Sequence, residues 1–173
     1  MTADHAKTIA EAMSALWQGE FPATARVLSA VSDAERGYRP HEKSRSAWEL
    51  ATHLVTADMW FIDCITKGQF AFDAAKAKEM ESSFSNVAEV VSWYQATVPA
   101  KLVELRDNTG EFLAESVDFF GMMKMSRAHW IGFANNHSVH HRGQLSAYLR
   151  SMGCKVPDIY GPSGDSVAGS GEL

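Results

Sequence analysis

Cysteine is scarce: Cys64 and Cys154 are the two in 173 residues, which is no disulfide framework. No apolar run approaches 20 residues, so the sequence offers no transmembrane helix. Basic runs are missing as well. Lys and Arg are scattered and the net charge is −5, whereas a protein that grips phosphate backbones needs a basic patch. The opening residues, MTADHAKTIAEAM, lack the basic end and long apolar centre of a secretory signal. There is no glycine-rich phosphate loop and no internal repeat, and no spacing supports a serine or cysteine triad. These absences lead to the expectation of a cytoplasmic protein with neither nucleic acid nor membrane among its partners.

What is present has the balance of a globular chain, 46% hydrophobic against 21% charged, and a length that suits one domain. The expected organisation is a single domain over residues 1–161 and a small, polar, mobile tail over 162–173. Nearly every apolar segment has helical spacing. A first helix is expected from Ala3 to Val31, kinked or split at Pro22, which removes a backbone donor and crowds the preceding turn. Residues 32–44 read as a loop. The second helix follows Ser46, with Glu49 at capping-box spacing, and stops at Gly68. Residues 69–84 are mixed, loop with a short helical turn. The third helix runs from Asn86 to Arg106, bent at Pro99, and the fourth from Ser126 to Gly153. Residues 111–125 have no clean period and read as a packed crossover. Four long amphipathic helices without a convincing strand predict an all-α four-helix bundle, with 107–125 long enough to cross it.

The fourth helix carries NNHSVHHRGQL, with three histidines in five residues. At about 100° per residue, His137 and His141 lie one turn apart on one face, among Trp130, Phe133, Ala134, Leu145, Tyr148 and Met152. His140 turns away to the side. Two buried imidazoles cost free energy unless each finds a partner. Hydrogen bonds alone are one solution, and a metal ion bound through the i, i+4 pair is the other. A third ligand must come from elsewhere, and His53 on the second helix points inward with Leu50, Ala57, Trp60, Phe61 and Cys64. Cys64 sits about 16 Å along the axis from His53, too far to join. Three neutral imidazoles leave a coordination position open, as in a reactive site. The His-Glu-x-x-His of zinc proteases is excluded by Ser138, and paired Glu-x-x-His motifs of di-iron bundles are missing. Glu49, one turn before His53, serves either the cap or as an outer acceptor for that histidine. Asn136, Gln144 and Tyr148 are further candidates for this outer ring, each equally open to a purely structural role.

The stretches RPHEKSRSAWELATHLVTADMWF (39–61) and NHSVHHRGQLSAYLRSMGCKVPDIYG (136–161) resemble the DinB/YfiT-like family of metal-binding four-helix proteins. The His-x-x-His-His-Arg-Gly-Gln run and the closing Val-Pro-x-Ile-Tyr-Gly carry the resemblance, which spans the chain to Gly161. It implies an up-down-down-up four-helix bundle, commonly paired as a homodimer. It implies a divalent ion, nickel or zinc, on His53, His137 and His141. Some relatives are transferases or isomerases that work with low-molecular-weight thiols such as bacillithiol or mycothiol, and the damage-inducible name describes expression rather than chemistry.

The leading expectation is therefore a metal-dependent, thiol-linked transferase or hydrolase acting on a small molecule. The ion would lower the pKa of a water or thiol in its open position, and His140 is the candidate acid or base at the rim. The rival is a non-enzymatic stress or interaction protein in which the metal clips two helices together. The second helix is also apolar opposite His53, through Trp48, Ala51, Val55, Met59 and Ile62. Either a second subunit or another helix of the same chain covers that face.

Overall fold

Each long helix begins on a side chain that satisfies its first free backbone N–H groups. In a computed structural model, which describes residues 1–167, Thr2 caps α1 (Ala3–Ser29) and Ser46 caps α2 (Ala47–Lys67). Asn86 caps α4 (Val87–Arg106) and Ser126 caps α6 (Arg127–Ser151). The capping box of α2 is complete: Glu49 N–H donates to Ser46 Oγ at 3.1 Å, and Ser46 N–H donates to the Glu49 carboxylate at 2.8 Å. At its far end Gly68 adopts φ +74°, the left-handed stop. A side chain at Gly68 would also collide with the Arg127 guanidinium. The bare glycine lets Arg127 reach the Ile65 carbonyl at 2.9 Å and tie α6 to the end of α2.

Six contacts set the directions of the bundle. Lys7 at the start of α1 donates to the carbonyl of Arg106 at the end of α4, and Phe21 meets Tyr94 midway, so these helices are antiparallel. Met13 lies against Gly132 and Glu20 pairs with Arg142, so α1 and α6 are parallel. Ile65 meets Arg127 while Asp58 meets Ser138, so α2 and α6 are antiparallel. The order is up-down-down-up, with α1 and α2 each packed on both α4 and α6. Residues 107–126 pass across one end of the bundle between α4 and α6. The stretch 68–86 returns along its length, because α2 and α4 point the same way, and it carries α3 (Ala74–Ser82) back beside α2.

Two expectations change. Pro22 and Gly19 do not split α1, which is continuous from Ala3 to Ser29. Burial of Trp17 before the proline and of Val27 and Leu28 after it holds both halves in one core. Pro99 lies inside α4, within the expected third helix. The crossover at 111–125 contains a short helix, α5 (Gly110–Ala114), and an antiparallel hairpin of β1 (Ser116–Phe119) and β2 (Met123–Ser126). Each strand has four residues and buries one, Val117 or Ser126, so no alternation long enough to read is present in the sequence.

Ala51, Val55 and Ile62, the face of α2 opposite His53, are buried in the chain's own core, and Trp48 lies beneath the Arg36 guanidinium. Past α6, residues 164–167 form the short helix α7 (Gly164–Val167), where Asp165 pairs with Arg150 at 2.9 Å. The rest of the expected tail, 168–173, lies outside the described residues. No helix among the described residues is long and apolar enough to cross a membrane.

Candidate metal centre

Two residue pairs, offset by one position along α6, do different work. His137 and His141 face α2. Ser138 and Arg142, next to them, turn to the interior. Ser138 donates to the buried Asp58 of α2 at 2.8 Å. Arg142, 1% exposed, pairs with Glu20 at 2.5 Å and donates to the Tyr160 hydroxyl at 2.5 Å, and that hydroxyl donates to Glu20 at 3.0 Å. The arginine and tyrosine of the two sequence motifs thus lock α6 to α1 and to the closing loop, and this fixes the height of the histidines on the bundle.

His53 meets the pair from α2. A nitrogen of each ring lies within 4.8 Å of the others, and the ring centres are 4.4 to 5.7 Å apart. The cluster is the three-histidine set expected from sequence. His141 Nδ1 is 2.7 Å from the Gln144 amide oxygen. That oxygen only accepts, so Nδ1 carries the proton and Nε2 presents a lone pair. This lone pair aims at His137 Nε2, 3.1 Å away. His137 Nδ1 is buried with no hydrogen-bond partner, and the Phe61 ring closes over that imidazole with centres 5.1 Å apart.

Charge is kept off these rings. Burial pushes the His53 imidazole down to about 3, with the nearby Arg45 guanidinium adding to the effect. Burial pushes His137 down to about 4, assisted by the neighbouring His141 and His140. Burial also lowers His141, against the opposing bond to Gln144.

The donor set fits a divalent cation. Neutral imidazoles are ligands of zinc or nickel, and ring nitrogens bound tetrahedrally at about 2.0–2.1 Å sit about 3.4 Å apart, close to the separation of the two Nε2 atoms. Among the described residues no cysteine or carboxylate completes the set.

Around the cluster, the remaining candidates divide. Gln144 bonds His141 directly. Tyr148 lies near, edge-on to Tyr38, and lines a cavity with His141. His140 is exposed, its ring 5.0 Å from that of His141. Asn136 is exposed too. The Glu49 carboxylate is engaged by Ser46 and by Arg39 at 2.9 Å. The carboxylate that does face His53 is Glu81 of α3, 3.5 Å from Nδ1. Sequence reasoning missed it. Its only signal is an acidic side chain in the returning segment, and that is informative only once α3 is known to run beside α2.

The family model described as the DinB family matches residues 4–171. Two proteins of Bacillus subtilis (strain 168), both described as uncharacterized, are similar in sequence. YrdA is 28% identical over 155 residues, 88% of either chain, and YjoA is 28% identical over 130 residues, 75% of this chain and 82% of its own. The crystal structure of the DinB-like YjoA shares the fold, with a TM-score of 0.68 at 24% identity over 87% of this chain and 99% of that one. A histidine-to-alanine variant of a mycothiol-dependent maleylpyruvate isomerase shares it more remotely, at a TM-score of 0.53 and 14% identity, over 84% of this chain and 61% of the isomerase.

Proposed function

Because the chain belongs to the DinB family, and its three inward histidines form one donor set, we propose that it binds a divalent metal ion, zinc or nickel, and acts as a metal-dependent, thiol-linked transferase or hydrolase on a small molecule. The observation that carries this reading is the convergence of His53, His137 and His141 within 4.8 Å without a fourth protein ligand among the described residues. A closed structural site uses four protein ligands, whereas three leave a position for a reactant. The thiol partner has one support, the fold shared with a mycothiol-dependent isomerase.

Bound at these nitrogens, a divalent ion supplies Lewis acidity sufficient to ionise a water or thiol near neutral pH. The chain's own residues prepare for it. Burial keeps the three imidazoles uncharged, so each has one ring nitrogen with a free lone pair at neutral pH. Gln144 holds His141 in the tautomer that presents Nε2. Glu81 faces His53 Nδ1, where a carboxylate orients the ring and raises its basicity. The Phe61 ring excludes water from the His137 side. His140, exposed beside His141, is the candidate acid or base for a bound reactant.

The second reading is a structural clip joining α2 to α6, and Glu81 is the observation that favours it. A carboxylate 3.5 Å from a ligand histidine is near enough to close the coordination sphere after a side-chain rotation. X-ray absorption of zinc-loaded protein separates the two readings. Three nitrogens plus an exchangeable light atom that is replaced by sulfur on adding a thiol supports the enzyme. A sphere unchanged by thiols, and lost in Glu81→Gln, supports the clip. The homodimer belongs to this proposal too, through a surface other than the buried Ala51, Val55 and Ile62 face. A concentration series by light scattering that shows monomer throughout removes it.

A further inference from the structure

Arg45 is exposed and lines a cavity beside His141 of the histidine cluster. The arginines near it are engaged: Arg36 pairs with Asp33 and covers Trp48, and Arg39 pairs with Glu49. Among the described residues Arg45 is in no ion pair. Its charge also acts on the Glu81 carboxylate of α3. Between Arg45 and His141 lies a cavity of about 190 Å³, lined also by Ser44, Leu50, Gln144 and Tyr148.

That lining is one-sided in its chemistry. It contains no carboxylate. The Gln144 oxygen is engaged by His141, which leaves its amide N–H groups to face other partners. The hydroxyls of Ser44 and Tyr148 and the guanidinium of Arg45 complete a set of donors.

We propose that this cavity binds the carboxylate of a small organic acid, with Arg45 as its anchor, and so presents the acid's remaining atoms to the centre formed by the three histidines. The proposal rests on the metal reading and names the substrate class for it. The volume equals that of about six waters, so the group enclosed is small. A carboxylate suits the site better than a phosphate. The fork of one arginine matches two carboxylate oxygens, while the nearby start of α2, which would otherwise attract phosphate, has its capping box filled by Ser46 and Glu49.

The test compares zinc-loaded wild type with Arg45→Gln and Arg45→Lys. Calorimetry is run with acetate, butyrate and benzoate, with the matching amides and with inorganic phosphate, while NMR follows the Arg45 Nε–H signal. The expected result is saturable binding of carboxylates and none of amides. Affinity falls at least about tenfold in Arg45→Gln and by less in Arg45→Lys, which keeps the charge and loses the fork. Unchanged zinc content and helical circular dichroism establish that the variants retain fold and centre. Equal carboxylate affinity in wild type and Arg45→Gln overturns the proposal. So does phosphate binding more tightly than every carboxylate, and so does an absence of binding to zinc-loaded protein. The metal reading fails separately: protein that takes up no zinc, yet whose Arg45 signal saturates with butyrate, keeps the anion pocket and loses the metal centre.

Discussion

Ser138 donates to Asp58 across 2.8 Å, and it does so one residue along α6 from His137. Tyr94 of α4 also approaches the same carboxylate oxygen, at 3.3 Å, and the other oxygen is buried without a partner. A fully buried carboxyl without a cation holds its proton. Burial raises Asp58 to about 8, against the two hydrogen bonds that favour the charged form.

The pH dependence of Asp58 follows from that shift. The unfolded carboxyl ionises near its ordinary value of 3.8 and the folded one near 8, so the folded state is disfavoured progressively as pH rises between them. Asp58→Asn keeps an acceptor for Ser138 and Tyr94 and removes the charge. It is expected to add about 1–3 kcal/mol of stability at pH 8 and nothing at pH 4. Urea unfolding at the two pH values checks this. An equal effect at both would refute a neutral Asp58.

The histidines act in the opposite sense in metal-free protein. Their folded values, about 3 for His53 and about 4 for His137, lie below the ordinary 6.5. The unfolded chain therefore takes up protons first, and stability present above pH 6.5 is lost as pH falls toward 4. Together with Asp58 this predicts a stability maximum near pH 6.5 after chelation. His53→Ala combined with His137→Ala flattens the acid limb. A chelated wild type whose melting temperature does not fall between pH 6.5 and 4.5 would contradict it.

Loss of one ligand reads the centre directly. His141→Ala, and separately His53→Ala, are expected to reduce bound metal to below about a tenth of the wild-type content while helical circular dichroism persists, since two imidazoles seldom hold the ion alone. Elemental analysis of protein purified without a tag is the measurement. Stoichiometric metal in either variant, or none in the wild type, ends the claim.

Glu81 and Glu49 separate by experiment. Glu81→Gln removes the carboxylate facing His53 and is expected to weaken metal affinity about 10–100-fold in competition with a chelator. Glu49→Gln disturbs the cap of α2, costing about 1 kcal/mol or less, and leaves affinity alone. The reverse pattern would return Glu49 to the site.

The local features were readable from sequence because their physics is local. Ser46 with Glu49, Asn86 with Glu89, and the left-handed Gly68 mark helix ends by hydrogen bonds spanning a few residues. The four-residue spacing of His137 and His141 defines a helix face without any knowledge of tertiary structure. His53 followed from its own apolar stripe. Glu81 and Arg45 could not be found this way. One depends on the path by which 68–86 returns along α2, and the other on a loop meeting the end of the α2–α6 groove. The hairpin at 116–126 escaped notice because each strand buries one side chain. Pro22 does not split α1 because packing on both sides of it outweighs one lost backbone bond.

The division of the ligands between α6 and α2 has a kinetic consequence. His137 and His141 come together whenever one turn of α6 forms, whereas Asp58 and Ser138, beside the centre, close a loop of 80 residues. Helix turns form in about a microsecond or less, and long loops close later. The His137–His141 pair therefore forms before α2 has docked. Under the proposed metal reading two imidazoles would hold an ion weakly and the centre would be completed only when docking brings His53 to the pair, so zinc would act on the late, loop-closing step of refolding.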